Sequence, residues 1–159
     1  MTTTKAQETK VILLGGGSNI QERKSAEVMI VGQAIVRNAA GTIQGATNAV
    51  AWGGGITLPK EERGQGYSGV YATDIAAANL YASGAEVRYT VVGKDVDFHG
   101  WLKASGSDIT AGDELEIISE GTYKGCFQKK DSGVAVAQAL ESIAISGISV
   151  NTPIQLRRL

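Results

Sequence analysis

The sequence predicts a mainly β protein: a β-sandwich or small β-barrel in the C-terminal half, preceded by an extended arm and Gly-rich loops, with at most one or two short helices. Two observations carry this. From Ser83 to Leu159, short runs of alternating or β-branched residues recur between Gly, Ser and Asp punctuation, at roughly the 8–12-residue spacing of all-β domains. Glycine supplies 21 of the 159 residues, against a usual share of about 7%.

Taken in chain order, 1–10 (MTTTKAQETK) is a polar arm, and 11–159 is expected to be one β-rich domain. Val11 to Leu14 is apolar enough for a strand, and Gly15 to Gly17 ends it with a turn. Glu27 to Val36 (EVMIVGQAIV) is the strongest core strand of the first half. Its apolar residues do not alternate, as in a strand buried on both faces. Asn38 to Gly41 is turn chemistry, and Thr42 to Trp52 continues as one or two small-residue strands. Residues 53–69 read as a long loop from their glycines, Pro59 and the charge cluster Lys60 to Arg63. Loops of that length inside a compact domain are usually functional or disordered. Asp74 to Ala82 (DIAAANLYA) is the best helix candidate, with Thr73 or Asp74 as cap and Gly84 just past its end. Strands are then expected at Glu86 to Val92, Val96 to Leu102, Glu114 to Ile118 and Ile154 to Arg157. Val134 to Leu140 is ambiguous: its alanines favour a helix, whereas Val134, Val136 and Leu140 at even spacing favour a strand.

Composition narrows the function classes. Lys plus Arg (15) nearly balance Asp plus Glu (16), so no basic field exists to hold a phosphate backbone, and direct nucleic-acid binding is not expected. Charged residues make up 19%, below the usual figure of about 25%, which suits a surface partly covered by partners. Cys126 is the single cysteine and has no internal partner for a disulfide, consistent with synthesis in a reducing cytoplasm. The polar start and the four-residue run Val11 to Leu14 match neither a signal segment nor a membrane span.

Several letter patterns suggest chemistry and weaken on inspection. Gly64, Gly66 and Gly69 spell the dinucleotide fingerprint, but that motif needs a buried strand before it, and Pro59 to Arg63 is no such strand. Gly15 to Gly17 lacks both the third glycine and the Lys-Ser/Thr of a phosphate loop. Asp95, Asp97 and His99 at i, i+2 and i+4 would share one face of a strand and face a common cation. The simpler reading is a strand with one wet face. The lone His99 lacks a nucleophile elbow, and no basic residue is placed by sequence to activate Cys126. No catalytic residue, metal or cofactor is therefore expected.

The C-terminal half also resembles a known family. The runs are Ala82-Ser83-Gly84 with Val87-Arg88, Gly93 to Leu102, Ile109 to Leu115, Gly133 to Glu141, and Ile154 to Leu156. In that order they resemble the "a-a-G-x-x-V-r", "G-D-x-V-x-a-x-L", "I-x-x-G-D-x-L", "G-x-V-G-x-A-L-E" and "V-x-L" segments of the decoration, or cement, proteins that coat the heads of tailed bacteriophages. Lys94 intrudes between Gly93 and Asp95, and GVAVAQALE carries inserted residues. The pattern spans about half the chain and tips Val134 to Leu140 toward a strand. The resemblance implies a protein made in the host cytoplasm and located on the outer surface of the virion capsid. Its implied partners are the major capsid protein and further copies of itself, as a homotrimer or as neighbours. The expected interface residues are Trp52, Trp101, Lys60, Arg63 and Tyr67, although tryptophans so placed are more often core anchors than interface or ligand-stacking residues. Strand alternation puts Trp101 with Asp97 and His99 on a wet face, where another subunit would cover it. The competing readings are a small nucleotide-binding enzyme using the Gly64-Gly66-Gly69 loop, and a tail-associated or carbohydrate-binding β module.

Overall fold

A computed structural model describes residues 20–47, 52–58, 80–121, 123–149 and 152–159; these hold twelve strands and no helix. The protein is mainly β, as its sequence predicts.

Of the first seven strands, all but the last have four residues or fewer. They are β1 (Gln21–Lys24), β2 (Met29–Ile30), β3 (Ala34–Arg37), β4 (Ile43–Gly45), β5 (Gly55–Thr57), β6 (Leu80–Tyr81) and β7 (Glu86–Val91). Five of them form a sheet in the order β1-β7-β5-β3-β4, and β2 pairs with β6 separately. Beyond β1 the chain swings back to the far edge, where Ser25 bridges Ile43 and the Ala26 N–H donates to the Ile43 carbonyl at 2.8 Å. The sheet thus bends into a nearly closed ring.

The other five strands are β8 (Asp97–Leu102), β9 (Glu114–Ile117), β10 (Phe127–Lys129), β11 (Ala137–Ala139) and β12 (Thr152–Arg158). They close into a barrel in the order β10-β8-β12-β11-β9. The longest seam is antiparallel, β12 against β8, from Thr152 opposite Leu102 to Arg157 opposite Asp97. The shortest is parallel, β10 against β8, with Phe127 opposite Leu102 and the Lys103 N–H donating to the Phe127 carbonyl at 3.0 Å.

The small-barrel expectation for the C-terminal half therefore holds. The N-terminal half carries more regular structure than an arm and loops. EVMIVGQAIV is not one strand, because the chain turns at Val31 and Gly32, where Gly32 has φ +79°. The double-faced burial expected there applies to β3 alone, with Ala34 packing into one hydrophobic cluster and Ile35 into another. The loop expected over 53–69 begins instead with the buried strand β5. The helix expected over Asp74 to Ala82 fails at its C-terminal end, since Leu80 and Tyr81 pair in β6 with Ile30 and Met29. Pairing with β2 outweighs the alanine propensity that suggested a helix. Asp74 to Asn79 of that segment, the arm and Val11 to Leu14 lie outside the described residues.

The barrel core is not the barrel's alone. Phe98, Leu102, Leu115, Phe127, Ile154 and Leu156 cluster with Ala34, Ala46, Trp52 and Ile56 of the N-terminal half. Gly100 makes room for this packing, because a Cβ there would lie 2.6 Å from the Phe127 ring. A polar joint ties the halves at their edge. The Ala34 N–H donates to the Gly125 carbonyl at 2.8 Å, and the Gln33 amide donates to the Lys124 carbonyl. The Lys124 ammonium pairs with Glu27 at 2.8 Å, and Glu27 also accepts the Gly45 N–H at 2.7 Å. Gln33 is buried, and its side-chain carbonyl accepts the Ile30 N–H at 2.8 Å, so both ends of its amide are satisfied.

Candidate functional site

The residues singled out by sequence go to different places. Trp52 is 5% exposed and seals the barrel from the N-terminal side. Its ring meets Phe127 edge-on at a centroid distance of 5.9 Å and Phe98 at 6.2 Å. Its indole N–H donates to the Gly55 carbonyl at 2.9 Å, while the Arg158 guanidinium lies 5.3 Å from the ring centroid. Burial lowers the pKa of Arg158 below its ordinary value, and its guanidinium also donates to the Val92 carbonyl. A buried aromatic with its polar edge satisfied and a cation over its face is an anchor within one chain.

Trp101 is 6% exposed, which corrects the wet-face expectation. Alternation does send it away from the barrel interior, opposite Phe98 and Leu102. The outer face at that point is covered by the chain's own Gly32 turn, so close that a Cβ on Gly32 would lie 2.7 Å from the indole. The wet-face premise that placed Trp101 at a subunit interface therefore fails. Lys60, Arg63 and Tyr67, like Gly64, Gly66 and Gly69, lie outside the described residues.

Asp95, Asp97 and His99 do not share a strand face. Asp95 sits in the turn before β8 with φ +60°, and its N–H donates to the Arg158 carbonyl at 2.9 Å. Asp97 is gripped by Arg157, whose Nε and Nη2 donate to its two carboxylate oxygens at 2.7 and 3.2 Å. That contact lowers the Asp97 pKa below the ordinary 3.8. Among the described residues no group of three or more His, Cys, Asp or Glu is placed to hold a metal ion. Cys126 is buried, and burial pushes its thiol up to about 12, so it stays protonated at neutral pH.

One feature that sequence reading missed is a cleft of about 500 Å³ over the outer face of β9 and β10. Its lining includes Lys103, Glu116, Ile118, Gln128, Ser132 and Val134. Leu115 and Ile117 enter the core cluster, which turns Glu116 outward, yet Glu116 is only 7% exposed. Its carboxylate accepts from the Gln128 amide at 2.7 Å, the Gly133 N–H at 2.6 Å and the Asp131 N–H at 3.3 Å. These donors satisfy a buried charge and hold the loop 131–133 against the barrel. No sequence motif marks the cleft. The only trace is a glutamate alternating with core residues, which looks like any solvated strand face.

No family model matches the chain, and no curated protein matches it. Among solved structures the fold is similar to the head fiber gp8.5 N base in bacteriophage phi29, with a TM-score of 0.48 and 13% identity, covering 90% of this chain and 95% of that one. A likeness of that size carries no argument about function.

Proposed function

We propose that this chain is a structural protein of a tailed-phage virion, a decoration protein that binds the outer surface of the assembled head and stabilises it. The observation that supports the reading is the coincidence of the family-like segments with the barrel. Gly93 to Leu102 runs into β8, Ile109 to Leu115 leads through a turn into β9, Gly133 to Glu141 contains β11, and Ile154 to Leu156 forms the middle of β12. Four of the five barrel strands thus coincide with the resemblance. The departure at Lys94 falls in the turn before β8, where an extra residue leaves the strand register untouched.

In this reading the mechanism is binding rather than turnover, and no cofactor is needed. A ligand that binds the mature lattice but not its disassembled subunits stabilises that lattice by mass action, by about 2.7 kcal/mol per site at a hundred times the dissociation constant. Repetition over many symmetry-related sites multiplies the effect. The partners are the major capsid protein and neighbouring copies of this chain, and Lys60, Arg63 and Tyr67 remain candidate contacts.

The test is co-sedimentation of the purified protein with shells assembled from the major capsid protein encoded in the same genome, before and after shell expansion. Saturable binding at a fixed ratio to expanded shells is expected. Absence of binding to either form would overturn the proposal.

A further inference from the structure

We draw no further inference here: the strongest candidate, the polar cleft of about 500 Å³ over the outer face of β9 and β10, has its buried Glu116 already satisfied by the chain's own donors, and nothing in the structure shows what fills it.

Discussion

Both tryptophans bind the two halves of the molecule together, and this changes what their removal should do. Trp101→Ala leaves a hole between the barrel wall and the Gly32 turn, and Trp52→Ala leaves one at the barrel end beside Phe98 and Phe127. Each should cost the isolated protein about 3–5 kcal/mol in urea unfolding. A loss below about 1 kcal/mol in either variant would contradict its placement in the interior. Gly125 has φ +84°, and a Cβ there would press on the Ala34 carbonyl and Gln33. Gly125→Ala should therefore cost more than about 1 kcal/mol by the same assay, from strain and contact together. Acid should weaken the fold through three surface carboxylates. Asp97 is lowered by the Arg157 hydrogen bond, Asp108 by the Ser146 backbone N–H, and Asp113 by the Lys129 hydrogen bond, all from an ordinary 3.8. Their contribution is present above that value and lost as pH falls through the lower folded values. The melting temperature should drop between about pH 5 and pH 2, and less steeply once all three are changed to Asn. An equally steep drop in the triple variant would place the acid sensitivity elsewhere.

Strand alternation made the barrel legible. Glu114-Leu115-Glu116-Ile117 and Asp97-Phe98-His99-Gly100 alternate in sequence, and the structure turns Leu115, Ile117 and Phe98 inward. The first half resisted for physical reasons. β1 (QERK) is exposed along its whole length, so no apolar period marks it, and it exists through its pairing with β7. β2 and β6 are two residues each and depend on one another, which no local window reveals. Alternation placed Trp101 on the outer wall correctly, but which outer wall the chain covers with its own turn is a long-range fact absent from local pattern. The interface candidates Lys60, Arg63 and Tyr67 fall in the stretch 59–79, which lies outside the described residues. Replacing Lys60, Arg63 and Tyr67 together by Ala should reduce shell binding in co-sedimentation. Unchanged shell occupancy would remove those three residues from the interface.

Across the whole molecule, the sheet and the barrel share one hydrophobic cluster and are joined at Gln33, Lys124 and Gly125. Heating should therefore unfold them in a single calorimetric transition, with the calorimetric and van't Hoff enthalpies equal. Two separated transitions would mean that the shared cluster does not couple them. The most direct measurement is calorimetric melting of expanded shells at increasing concentrations of this protein. The shell transition is expected to move upward and then level off once the sites are filled. A transition that stays in place while the protein demonstrably covers the shell would contradict a stabilising role.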